Sequence, residues 1–290
     1  MTAGATGTSV ALALAETAAR LAAAGCVSAE AEARWLMEEA LGTSSGALAG
    51  RSRQEPLPPA AAGRLERMVA RRVAGEPLQY VIGWAPFGPL RLEVGQGVFV
   101  PRPETELVAE RAARHLAASG SGAVAVDLCT GSGAIACFLA HAVPGARVLA
   151  TEVDPGALVW ARRNVRGTGG VELLEGDLDE PLPAGLRGKV DVLVANVPYV
   201  PAGAFPLLPR DVRDHEPRLA LDGGADGLDV LRRVMAVAPS WLAPGGWLVC
   251  EIGDDQDEAA ALLAEQLGLV EVGVWPDLAG RNRALEGRRR

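Results

Sequence analysis

The chain has 290 residues, 49% of them hydrophobic, with 28 Lys and Arg against 36 Asp and Glu and a formal net charge of −8. That length allows one large or two modest domains with a sizeable core. The acidic balance argues against a general nucleic-acid binder, which needs a basic face.

The N-terminus is Ala-rich but has no basic leader region and is interrupted by Glu16, so neither a signal peptide nor a membrane span is expected. Cys26, Cys129, Cys137 and Cys250 are scattered, without the pairing of a metal site or a disulfide framework. They read as reduced thiols of a cytoplasmic protein, and no metal is expected. Residues 9–75 read as helical. Val10, Leu14, Ala18 and Leu21 fall on one helical face. Ser28 is placed to cap a second helix with the stripe Ala33, Leu36, Met37, Ala40 and Leu41, which Gly42 ends. After the Pro-rich break at Pro56–Pro59, Leu65, Met68, Val69 and Val73 form a third stripe. The expectation is a small helical bundle for docking or scaffolding.

Residues 76–100 change character. Leu90, Leu92 and Val94 alternate with polar neighbours, and Val98 and Val100 resume the alternation, which predicts a β-hairpin arm or linker. A helix is expected to begin at the run Pro101-Arg102-Pro103-Glu104-Thr105-Glu106. From about residue 121, candidate strands at 124–128, 147–151, 171–175, 190–195 and 247–251 alternate with helical stretches at 134–142, 156–166 and 228–238. That alternation predicts an α/β fold with a mostly parallel sheet covered on both faces. Residues 270–275 and 283–286 suit a final hairpin.

Three strand ends carry a ligand signature. The first strand runs through Asp127 and Leu128 into Cys129-Thr130-Gly131-Ser132-Gly133, where glycines permit a tight turn and close approach to a ligand. Glu152 ends the second strand about twenty residues on, where a carboxylate grips a ribose diol. Asp177, before Leu178, follows the third and suits an adenine amino group. These features equally fit a nicotinamide oxidoreductase or a structural turn. The fourth strand end, Asn196-Val197-Pro198-Tyr199, separates them. A carboxamide and a peptide carbonyl accept the hydrogens of a planar NH2 group, Pro198 stiffens the backbone and Tyr199 offers a flat face. A hydride enzyme has no need of that trio, and none of His115, His141 or His215 sits at a strand end as a proton relay. A methyl donor such as S-adenosylmethionine fits better.

Here the sequence resembles the HemK/PrmC-type protein-(glutamine-N(5)) methyltransferases, including a paralogous branch with a varied clamp. The resemblance spans nearly the whole chain. It rests on Arg71–Gly83 at the bundle-to-arm junction, Phe99–Glu106, Glu216–Gly224 with Asp226-Gly227-Leu228, and Asp277–Arg281. It implies a Rossmann-like class I S-adenosylmethionine-dependent methyltransferase with a seven-stranded sheet, a helical docking domain (1–80), a hairpin linker (81–100) and a methyltransferase domain (101–290). It also implies cofactor binding by Cys129–Gly133, Glu152, Leu178 and Asn196, to which the residue pattern adds Asp127 and Asp177. The resemblance carries the substrate clamp over to Asn196–Tyr199, and Arg102 and Glu104 read equally as further substrate contacts or as a plain ion-pair and helix-start pair. The family's substrate is the Gly-Gly-Gln glutamine of peptide-chain release factors; a small-molecule amide or amine is the alternative, and a non-catalytic interaction module a further one. Departures are Val197 for the family's first clamp proline, Cys129 for a glycine and Glu152 for an aspartate.

Overall fold

The computed structural model describes residues 8–51 and 54–290. Residues 1–7 and 52–53, which the reading above assigns to the N-terminal domain, lie outside the described residues. The chain forms two units. One runs to Gly83 and takes in Arg210–His215; the other comprises Trp84–Pro209 and Glu216–Arg290.

The first unit contains α1 (Val10–Ala23), α2 (Ala29–Leu41), the short α3 (Ser45–Ala49), α4 (Pro59–Val73) and α5 (Leu78–Ile82). α2 buries Ala33, Leu36, Met37 and Ala40 of the stripe expected of it and leaves Leu41 half-buried. The face of α1 is rotated from the expected one: Ala13 and Thr17 are buried with Val10 and Leu21, while Leu14 and Ala18 are half-buried. In α4, Val73 is exposed and Arg72 takes the inner position. Its long stem packs inside while its guanidinium donates to Glu32 (2.6 Å) and lies 3.4 Å from Asp211. Ser28 occupies the N-cap of α2, yet its hydroxyl makes no capping bond; Gly42 ends that helix in the left-handed conformation. Residues 78–82, expected to belong to an extended arm, are helical because Tyr80, Val81 and Ile82 are packed inside and Gly83 terminates the turn.

The second unit opens with a hairpin, β1 (Trp84–Phe87) against β2 (Leu90–Glu93). The alternation at Val98 and Val100 reflects burial without strand pairing. There follow α6 (Pro103–Ala118), β3 (Val124–Leu128), α7 (Ala134–Ala142), β4 (Arg147–Glu152), α8 (Pro155–Thr168), β5 (Val171–Glu175) and β6 (Val190–Ala195). After the short α9 (Arg210–His215), which belongs to the first unit, come α10 (Asp229–Trp241), β7 (Leu242–Glu251), α11 (Asp257–Gln266), β8 (Val270–Pro276) and β9 (Asn282–Arg288). The sheet order is β5-β4-β3-β6-β7-β9-β8. The first five strands are parallel, and β9 runs antiparallel to both neighbours.

Both faces of this sheet are covered, as near-continuous apolar strands require. Val126, Leu128, Leu193 and Leu248 pack on one face with Met235 and Trp241 of α10. Ala125, Val192, Val194 and Val249 pack on the other with Val108 and Leu116 of α6 and Leu139 of α7. The chain leaves β3 for β4 and β5 on one side, then returns to the other side at β6. Connections therefore diverge at the carboxyl ends of β3 and β6 and leave a crevice between them.

Candidate active site

A cavity of about 350 Å³ opens at that crevice, within the range of small-molecule sites. Of the residues singled out in the sequence, Asp127, Cys129, Thr130, Gly131, Ser132, Glu152, Asp177, Leu178 and Asn196–Tyr199 line it. Gly133 stands behind the lining as the N-cap of α7, in the left-handed conformation. Arg102 and Glu104 also stand outside it. Arg102 pairs with the buried Glu216 and lies 4.7 Å over the ring of Phe99, which does line the cavity. Glu104 accepts from Arg281 at 2.8 Å.

The Gly-rich turn is organised by carboxylates. Glu152 Oε2 accepts from the Gly131 N–H (2.8 Å), and its Oε1 accepts from the N–H groups of Val153 (2.9 Å) and Asp154 (2.8 Å). Burial raises its pKa, against the pull of these three bonds. A carboxylate offers about four acceptor positions, so Oε2 keeps one for a ligand hydroxyl. Asp127 Oδ2 accepts from the Thr130 hydroxyl (2.6 Å) and the Ala136 N–H (3.1 Å), while its buried Oδ1 has no partner among the described residues. Burial pushes the Asp127 carboxyl up to about 7. Asp177 is paired with Arg233 at 2.7 Å, and both line the cavity. Cys129 takes a left-handed backbone (φ 58), a conformation that glycine adopts without strain. Burial, then the neighbouring Glu152, pushes its thiol upward, so it carries no reactive thiolate.

Several residues that hold the site were given no role in the sequence, although Thr105 and the segment 221–223 fall within its motifs. Asn164 of α8 accepts from the Glu93 N–H and donates to the carbonyls of Glu93 and Ser132, tying the hairpin to the Gly-rich turn. Gln256 donates to the Tyr199 carbonyl at 3.0 Å and accepts from the Gly253 N–H at 2.8 Å. Val200 is paired with the segment 221–223 through the bonds Val200 N–H to Leu221 O (2.9 Å) and Gly223 N–H to Val200 O (3.0 Å). Thr105 of α6 and Glu251 at the end of β7 are buried beside Asn196. The one sequence signal for Glu251 was an acid closing an apolar strand.

Gly227 marks how closely the backbone packs behind the Asn196–Tyr199 turn. Its φ is +80, and a Cβ there would stand 2.4 Å from the Tyr199 carbonyl oxygen and 2.5 Å from Gln256 Nε2. Gly227→Ala is therefore expected to destabilise the protein by about 1–3 kcal/mol through forced backbone strain. It also displaces Tyr199, so thermal unfolding and turnover should both fall; unchanged values for both would contradict this packing.

The region 13–83 matches the family model described as the PrmC N-terminal domain, and 125–210 matches a methyltransferase domain. The chain is 46% identical over 283 residues to the release factor glutamine methyltransferase of Moorella thermoacetica, covering 96% of this chain and 98% of that protein. It is 45% identical over 270 residues to the protein of the same name from Mycolicibacterium smegmatis, covering 91% and 92%. Among solved structures, a methyltransferase from Pyrococcus furiosus superposes with a TM-score of 0.53 at 21% identity over 77% of this chain and 98% of that one. At that identity the likeness speaks for the fold, that of the class I methyltransferases.

Proposed function

The chain belongs to the family of release factor glutamine methyltransferases, and we propose that it transfers a methyl group from S-adenosylmethionine to the side-chain amide nitrogen of a protein glutamine, that of Gly-Gly-Gln in a peptide-chain release factor. Such a substrate puts its work in the cytoplasm. The observation that carries this reading is that the Asn-Val-Pro-Tyr turn after β6 opens on the same cavity as the Gly-rich turn after β3 and Glu152 after β4.

The cavity fits the cofactor in its charge pattern. The unpartnered Asp127 Oδ1 suits the ammonium group, the remaining acceptor position of Glu152 a ribose hydroxyl, and Asp177 with the backbone at Leu178 the adenine edge. When bound, S-adenosylmethionine supplies an electrophilic methyl group on a sulfonium.

The protein's own task is orientation. An amide nitrogen is a poor nucleophile because its lone pair is delocalised into the carbonyl. The Asn196 side-chain oxygen and the Val197 carbonyl accept its two hydrogens, fix the plane of the amide and favour the positive charge that develops on nitrogen. Val197 is buried and Pro198 restricts the backbone, so both acceptors are held on a stiff turn. Replacing the family's first proline by Val197 keeps the carbonyl that does this work. Holding two reactants in line can supply about 7–11 kcal/mol of a barrier. The proton is lost to water after transfer.

The test is mass spectrometry of a release factor incubated with this protein and S-adenosylmethionine, with Asn196→Ala alongside. One methyl group is expected on the Gly-Gly-Gln glutamine, and not in the variant. Cofactor binding without methylation of the release factor would overturn the substrate assignment.

A further inference from the structure

Glu251 calls for an explanation. It is 1% exposed and closes the apolar run Trp247–Cys250 of β7. A buried carboxylate costs stability that an apolar or amide residue of similar size would not. Its contacts lead to the clamp. Thr105 Oγ1 donates to Glu251 Oε2 at 2.5 Å, and Asn196 Nδ2 donates to Thr105 Oγ1 at 3.2 Å. The Tyr199 hydroxyl faces the same carboxylate and favours its ionised form.

From this geometry we infer that Thr105 and Glu251 are positioning residues that decide which way the Asn196 carboxamide faces. The inference rests on the methyl-transfer reading above and deepens it.

A hydroxyl has a single hydrogen, and an ionised carboxylate can only accept. The Thr105 hydrogen is therefore committed to Glu251, in a short charge-assisted bond. The Thr105 oxygen is left as an acceptor only, so the group of Asn196 that meets it must be the NH2. The Asn196 oxygen is then free for the cavity that Asn196 lines. The two ends of a carboxamide are nearly the same shape, so nothing steric prevents the reverse orientation. Reversed, the clamp would present N–H to the N–H of its substrate. A protonated Glu251 permits that reversal, because it can donate to Thr105, which then donates to Asn196.

Burial pushes the Glu251 carboxyl up to about 7. The groups facing it are Thr105 and Glu104 from α6, Tyr199 after β6 and Arg283 from β9; Arg283 and the hydroxyls favour ionisation, while Glu104 opposes it. The ionised form is the orienting one, so kcat should rise with pH through about 7.

The experiment follows release factor methylation by wild type, Thr105→Val, Thr105→Ser and Glu251→Gln, with cofactor affinity by calorimetry and stability by thermal unfolding. Thr105→Val keeps the shape and removes the acceptor. It should lower kcat by about tenfold, the worth of one neutral hydrogen bond, with cofactor affinity and KM for the release factor unchanged. Thr105→Ser should restore the wild-type rate. Glu251→Gln should lose the limb of the pH profile near 7. Wild-type kcat in Thr105→Val, a Thr105→Ser as slow as Thr105→Val, or a parallel loss of cofactor affinity would each overturn the inference while leaving the methyltransferase reading intact. An inactive wild type would overturn both.

Discussion

Asn196→Ala is expected to lower kcat for release factor methylation by about 10²–10³-fold, by analogy with removal of one aimed oxyanion-hole donor, while S-adenosylmethionine still binds. Asn196 sits one residue beyond β6, in the turn that leaves the sheet at its switch point, and its amide is held by Thr105. Alanine removes the oxygen proposed to accept one substrate N–H and leaves the Val197 carbonyl as the remaining acceptor. The amide then loses the fixed plane that directs its nitrogen, and the charge developing there loses a partner. Asp127, Glu152 and Asp177, the carboxylates proposed for the cofactor, lie on other strand ends and keep their contacts. Single-turnover rates by mass spectrometry, with cofactor affinity by calorimetry, separate the two effects. Turnover close to that of wild type would remove Asn196 from the chemistry.

Glu152→Gln should weaken cofactor binding by about 10–100-fold, the scale of a hydrogen bond to a charged group. The carboxylate satisfies three backbone N–H groups with its two oxygens. A glutamine amide has one oxygen. Turned one way, its NH2 meets the Gly131 N–H; turned the other way, it meets those of Val153 and Asp154. Either orientation sets donor against donor and loosens the Gly-rich turn. It also weakens the acceptor left for the ribose. A calorimetric affinity equal to that of wild type would show that Glu152 shapes neither the turn nor the ligand site.

Much of the second unit was legible in residue order. The strands 124–128 and 190–195 and the helix 134–142 have the bounds that their apolar runs predict, and strand 171–175 has its predicted bounds although Glu172 and Glu175 leave it half-exposed at the sheet edge. A buried parallel strand is mostly apolar, and glycines or prolines lie close to where it stops. The helical unit was less legible. Arg72 is inside and Val73 outside because a buried ion pair with Glu32 outranks local hydropathy. Ser28 has the right identity for a cap without the bond. The last hairpin was foreseen, but not that β9 would insert between β7 and β8.

For the site, the sequence carried the residues whose chemistry is peculiar to a strand end: Gly131, Glu152 and the tetrapeptide from Asn196. Residue type and the neighbours along the chain suggested their proposed roles, and the fold brings them to one cavity. Residue order could not carry the supports. Thr105 stands 91 positions from Asn196 and 146 from Glu251, and Gln256 stands 57 from Tyr199. Threonine in a helix and glutamic acid at a strand end are unremarkable until the sheet brings them within hydrogen-bond reach. A hydroxyl becomes an obligate acceptor only when a particular carboxylate claims its hydrogen. That condition depends on distance and burial, which arise only once α6, β6 and β7 are packed together.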